Sequence, residues 1–224
     1  MEQRRTAAGV AGQAEFTLEY EYDTVTELGI DWLVSWLEDS IRAGSRFTPA
    51  QTVTIGWLNC YVIENADGTL GLCEPDFENV PPILAAGASK AVVQLWYQRE
   101  VAESVGLGDE LDFPHYTHRA VTCDAFADSG GAVMYRYPHN EHYDDFSGWF
   151  VGCSGPAHEH DDSTMRSATL YELAVINPSI VGYLALPHDC SVDTSDGAPE
   201  IRRNGEPLTV RDGSLLAASF HRDE

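Results

Sequence analysis

The chain has 224 residues, enough for one large domain or two of roughly 100 residues each. Hydrophobic residues make up 43% and aromatics 10%, which excludes a chain disordered throughout. Asp and Glu number 36 against 13 Lys and Arg, a formal charge of −23 that would be repelled by nucleic acid and by an anionic membrane.

The acidity is not a tail. Up to His118 there are 19 acids and 6 bases, beyond it 17 and 7, so the two parts carry −13 and −10. Twelve of the bases are Arg and one is Lys90, a composition that a GC-rich genome explains, just as a salt-rich habitat explains acidity. Met1 to Ala14 is weakly hydrophobic and reads as a loose tail, not as a signal peptide. No apolar run reaches about 18 residues, and a reducing cytoplasm is the expected compartment.

In chain order, Phe16–Tyr22 alternates apolar and acidic residues and predicts a strand with Phe16, Leu18, Tyr20 and Tyr22 on one face. From about Glu27 to Arg42, Ile30, Leu33, Leu37 and Ile41 recur at helical spacing, with Trp32 and Trp36 widening the stripe and Gly44 as the stop. Thr52–Ile63 is β-rich, and Asp67-Gly68 before Thr69-Leu70 predicts a hairpin. Ser89 is a plausible cap for a helix from Lys90 to Val105, with Val92, Val93, Trp96 and Tyr97 on its buried side.

Residues 106–118 are polar, contain Gly and Pro, and mark the expected domain boundary, giving domains at 15–113 and 119–224. Beyond it, Ala120–Phe126 and Ala132–Tyr137 read as strands joined by a turn at Ser129-Gly130-Gly131. Trp149–Cys153 is a further strand, Thr169–Val175 a helix ended by Asn177-Pro178, and Ile180–Leu186 a short apolar helix or turn. Asn204-Gly205 signals a second hairpin. The expected fold class is α+β: two small mixed domains, each a mainly antiparallel sheet with one or two helices on one face.

Chemistry concentrates in residues 139–162, where Glu141, Asp144, Asp145, Glu159, Asp161 and Asp162 stand among His139, His142, His158 and His160. One reading is a pair of solvated acidic loops around the Trp149 strand, able to meet a basic surface, with Trp149 as core or as a partly exposed anchor. Another is a metal-dependent hydrolase in which His158, His160 and Asp162 hold the ion. The five cysteines, at 60, 73, 123, 153 and 190, form no C-x-x-C pair, so neither a disulfide framework nor a thiolate zinc site is expected. Pro187-His188-Asp189-Cys190 sets a His beside a thiol, but Asp189 and Asp193 raise the thiol pKa and disfavour a nucleophile there. No phosphate-binding glycine loop, G-x-S-x-G or H-E-x-x-H is present, and no catalytic residue, metal or cofactor is assigned.

The stretches AVMYRYPHNEHYDDFSGWFVGC and LYELAVINPSIVGYLALP resemble the immunity-protein-33-like domain over about residues 119–193. The resemblance rests on Met134-Tyr135-Arg136, Ser147-Gly148-Trp149, the acidic loop His158–Asp162, the short helix Leu170–Val175 and Asn177-Pro178-Ser179-Ile180. A weaker likeness to upstream regions of some relatives covers residues 50–113, including Glu74-Pro75-Asp76-Phe77, whereas the His-rich loops depart from the family pattern. The resemblance implies a non-enzymatic immunity protein that binds and neutralises a cognate toxin delivered between competing bacteria. Glu141, Asp144, Asp145, Trp149, His158, Glu159, Asp161 and Asp162 are then the candidate partner-binding residues. The implied partner is a basic protein such as a nuclease effector, and a regulatory protein-binding module is the further alternative.

Overall fold

A computed structural model describes residues 1–7, 9–138, 144–155, 160–195 and 197–220. The chain divides into two compact units, Met1–Trp96 and Tyr97–Glu224. Each is a mixed α+β unit built on mainly antiparallel sheet, as the sequence predicts.

In the first unit, β1 (Glu2–Arg5) pairs antiparallel with β2 (Thr17–Tyr20). The N-terminal segment is therefore a paired strand, not a loose tail. Its Glu2-Gln3-Arg4-Arg5 sequence carries no apolar signal; the pairing is a backbone ladder with a Gln3 Nε2 to Glu19 Oε1 hydrogen bond across it at 3.2 Å. Phe16, Leu18 and Tyr20 are buried as the alternation requires, while Tyr22 lies past the strand and is exposed. Helix α1 (Thr24–Arg42) begins earlier than the apolar spacing suggests because the Asp23 carboxylate caps it, accepting from the Val25 and Thr26 N–H groups. Gly44 ends it with a left-handed φ of 106°.

Strands β3 (Thr52–Ile55), β4 (Leu58–Glu64), β5 (Leu70–Pro75) and β6 (Leu84–Ala86) form an antiparallel meander. The run 52–63 is thus two strands turned at Gly56-Trp57, and Asp67-Gly68 makes the predicted β4–β5 hairpin. Helix α2 (Ser89–Ser104) starts against β5: the buried Glu74 carboxylate accepts from the Lys90 and Ala91 N–H groups at 2.9 and 2.7 Å. Glu74 satisfies this helix start, and the Ser89 hydroxyl instead accepts from the Glu21 N–H.

The three tryptophans expected on buried helix faces are on the surface. Trp57 is buried, but Trp32, Trp36 and Trp96 are 46, 38 and 36% exposed. At about 100° per residue, Trp32 and Trp36 stand roughly 140° and 100° from the centre of the Thr26–Ile30–Leu33–Leu37–Ile41 stripe. Trp96 stands roughly 140° from the buried Ala91–Gln98–Ala102 side of α2.

The boundary between the units falls inside α2, ahead of the polar segment at 106–118 that the sequence marks. The second unit holds a seven-stranded sheet in the order β10-β7-β9-β8-β11-β12-β13. Its strands are β7 (Arg119–Cys123), β8 (Ala132–Arg136), β9 (Phe146–Cys153), β10 (Met165–Thr169), β11 (Cys190–Asp193), β12 (Glu200–Arg203) and β13 (Glu206–Pro207). β7 and β8 are not the hairpin that Ser129-Gly130-Gly131 suggests: β9 lies between them, parallel to β7 and antiparallel to β8. β12 and β13 are turned at Asn204-Gly205, both with positive φ, as a two-residue hairpin requires.

Helix α3 (Leu170–Ile176) is opened by a capping box between Thr169 and Glu172. A 3₁₀ turn, Pro178–Tyr183, follows, buried from Ile180 on and with Asn177 as its cap. Helix α4 (Leu215–Phe220) closes the described chain. No helix among the described residues is long and apolar enough to cross a membrane.

Candidate binding surface

The strand period of two sorts β9 into two faces. Ser147, Trp149, Val151 and Cys153 point inward and are buried, while Phe146, Gly148 and Phe150 point outward and are partly exposed. Trp149 is 1% exposed and its Nε1 donates to the Leu184 carbonyl at 3.0 Å. It is therefore core, which removes it as an exposed anchor.

Arg136 shares that inner face. Its guanidinium donates to the Asp112, Leu184 and Leu186 carbonyls, pairs with the Asp112 carboxylate at 2.9 Å, and lies 5.7 Å from the Trp149 ring centroid. Burial holds the Arg136 pKa below its usual value, against the pull of Asp112. The Met-Tyr-Arg and Ser-Gly-Trp motifs thus meet as one structural clamp: the arginine and the indole both fasten the segment after the 3₁₀ turn to the sheet.

The outer face is different in kind. Val121, Tyr137, Pro138, Phe146, Phe150 and Met165 line an apolar groove of about 500 Å³, together with Gly148 and an edge of the otherwise buried Trp149. Tyr137 is 57% exposed and its ring lies 4.4 Å from that of Tyr135. The close approach depends on glycine. Gly148 has φ +79°, and a Cβ there would meet the Tyr137 carbonyl oxygen at 2.5 Å. The signal for this groove was present in Phe146-Ser147-Gly148-Trp149-Phe150-Val151, where both faces of the strand are apolar although only one can pack on the unit's own core.

Among the described residues, the candidate acids do not form one cluster. Asp144 and Asp145 are exposed in the turn that leads into β9, where the Asp145 carbonyl accepts from the Arg119 N–H at 2.6 Å. Asp161 and Asp162 are exposed before β10. Because Phe146 pairs with Arg119 and Met165 with Cys123, the two acidic pairs lie at opposite ends of β7, about 13 Å apart along the strand. They bracket the groove. The Asp161 carboxylate also accepts from the Ser163 N–H and hydroxyl, so it shapes its own turn. Glu141, His158 and Glu159, with His139 and His142, lie outside the described residues.

The His158–His160–Asp162 grouping is not what the described residues bring together. His160 Nε2 stands 3.6 Å from Cys153 Sγ, and Cys123, Cys153 and His160 place their ligand atoms within 4.8 Å of one another, without Asp162. Cys123 and Cys153 close adjacent parallel strands, a meeting that no local C-x-x-C spacing announces. Cys190 is fully buried, and burial pushes its thiol up to about 11, which leaves it no thiolate for nucleophilic attack. A smaller pocket of about 140 Å³ includes Asp112, His118, Arg136, Ser147 and His188. Within it Arg136 and Ser147 are committed to backbone carbonyls.

No curated protein and no solved structure matches the chain. A family model does: residues 97–202, from the second half of α2 through the sheet to β12, match the Imm33-like domain, the family that the motifs between Arg119 and Asp193 resemble.

Proposed function

We propose that the chain is an immunity protein that binds a cognate protein toxin and silences it by stoichiometric occlusion, without turnover. The match of residues 97–202 to the Imm33-like domain carries this reading. The outer face of that segment supports it physically. An apolar groove with partly exposed aromatics supplies the buried centre that protein interfaces need, and exposed carboxylates at both ends supply a charged rim. A basic toxin surface, such as a nuclease cleft, is the partner that this rim and the charge of −23 would steer. Tyr137, Phe146 and Phe150 are the anchors in this reading. Asp144, Asp145 and Asp162 are its charged rim, and Glu141, His158 and Glu159 remain candidates within the same loops.

The test is co-purification and protection. The chain co-expressed with the toxin encoded beside its gene is expected to form a 1:1 complex and to rescue growth. A Tyr137→Ala/Phe146→Ala double variant is expected to keep its far-UV spectrum and lose affinity by a hundredfold or more. Full protection by that variant would move the interface off the groove. No complex with the neighbouring toxin would end the immunity reading.

A further inference from the structure

The cysteines and the histidine at the far end of β9 are not used by a binding groove, yet their geometry is specific. Cys123 ends β7 and Cys153 ends β9, the parallel pair next to the β10 edge of the sheet. Cys153 donates its backbone N–H to Cys123 Sγ at 3.2 Å, which ties the two strand ends together at the sulfur. His160 is brought over the same point by the connection to β10. Its ring stacks edge-on against Phe150 with centroids 5.3 Å apart, and its Nε2 faces Cys153 Sγ at 3.6 Å.

Metal–ligand lengths fix what such a trio must look like around a tetrahedral zinc ion. With Zn–S of about 2.3 Å and Zn–N of about 2.05 Å, the ligand atoms sit about 3.6 Å apart for S···N and about 3.8 Å for S···S. The Cys153–His160 pair already has that separation, and the whole trio lies within 4.8 Å. Closing onto an ion requires at most about 1 Å of movement, which side-chain rotation and the His160 turn can supply.

We propose that Cys123, Cys153 and His160 form a zinc site with an N,S₂ ligand set. Binding forms two Zn–S bonds and one Zn–N bond, with the two thiol protons released to solvent and a neutral imidazole as the third ligand. Cys₂His sets suit zinc above harder cations, because thiolates are soft donors. Three protein ligands leave a fourth position for water or an exogenous donor. The site is independent of the toxin-binding reading, although it sits where it would matter for it. Met165, which lines the groove, pairs in register with Cys123, and Phe150, which also lines it, packs on His160. A bound ion would tie His160, and with it the adjoining Asp161 and Asp162, to the end of the sheet.

The full-length chain without a His tag, prepared under reducing conditions, is equilibrated with Zn²⁺, dialysed and assayed by elemental analysis. Co²⁺ replaces Zn²⁺ for spectroscopy. One zinc per chain is expected, with a thiolate-to-cobalt charge-transfer band in the near-UV and the intense visible bands of a tetrahedral site. Cys153→Ser lies in the core and can disturb folding. His160→Ala does not, because His160 is exposed, so it is the decisive variant. His160→Ala is expected to keep the wild-type fold and to lose zinc affinity by more than about tenfold, the scale on which even outer-shell partners act. Zinc-free wild-type protein after equilibration overturns the proposal. So does zinc retained at equal affinity in His160→Ala, or a cobalt derivative without the charge-transfer band.

Discussion

Trp149 separates a structural from an interfacial role for the Ser-Gly-Trp motif, and the structure sets the size of the effect. The indole is 1% exposed, donates to the Leu184 carbonyl and stands beside the Arg136 guanidinium. Truncation of such a residue to alanine costs about 3–5 kcal/mol from lost transfer energy and the cavity left behind. Against a total stability of roughly 5–15 kcal/mol that is a large share. At about 2–4 °C per kcal/mol for a chain of this size, Trp149→Ala is expected to lower Tm by roughly 6–20 °C. Trp149→Phe keeps most of the volume and loses the hydrogen bond, and is expected to cost only about 1–2 kcal/mol. Tyr137→Ala, on the exposed rim of the groove, is expected to stay within about 0.5 kcal/mol of wild type. Thermal melts followed by near-UV circular dichroism, paired with calorimetric titration of the toxin, read both quantities. The reasoning is refuted if Trp149→Ala melts like wild type while toxin affinity collapses, since that would place the indole in the interface.

Charge and pH give two further expectations. Asp144→Lys/Asp145→Lys/Asp162→Lys, with Asp161 kept because it builds its own turn, is expected to slow toxin association at least tenfold at low salt and to flatten its salt dependence. Stopped-flow association across ionic strength measures this, and an unchanged slope removes these acids from the encounter. Burial raises the Glu74 carboxyl pKa, more than the Lys90 and Ala91 N–H groups hold it down. The folded state therefore binds the proton more tightly than the unfolded chain. The stability this provides is complete below the unfolded value, near 4.5, and is lost as pH rises through the folded value. Urea midpoints followed upward from that pH are expected to fall in wild type relative to Glu74→Gln, apart from a pH-independent offset for the lost acceptor. Parallel curves would contradict it.

What was legible in the sequence was local. The alternation of Phe16 to Tyr20, the α1 stripe, the Asp67-Gly68 and Asn204-Gly205 turns and the short helix ended at Asn177-Pro178 each depend on neighbours within a few residues, and each has its expected place. The exposed tryptophans were legible too, but only by angle: apolar character put Trp32, Trp36 and Trp96 in the core, and helical geometry puts them outside it. Strand β10 was missed because it is a sheet edge with Arg166 and Ser167 exposed, and edge strands carry little apolar pattern. Arg136 is the less obvious case. A lone arginine in a polar-looking stretch reads as surface, yet backbone carbonyls on two segments make it a buried clamp.

The features that bear on function trace to one non-local event, the parallel pairing of β7 with β9. It sets Val121 beside Phe150 and so forms the groove wall, sets Cys123 beside Cys153, and sends the two acidic pairs to opposite ends of the sheet. Parallel pairing needs a crossover, here the passage through β8, and it leaves no two-residue turn to announce it. Ser129-Gly130-Gly131 therefore pointed to the wrong partner, and residues thirty apart in the chain showed no relation. The same pairing explains why the Imm33-like motifs read as structural: Arg136 and Trp149 hold the inner face of this sheet against the chain beyond α3. The outer face, with its groove and charged ends, takes no part in that clamp. On β9 the buried Ser147, Trp149 and Val151 alternate with the partly exposed Phe146, Gly148 and Phe150, so clamp and groove come from neighbouring residues of one strand.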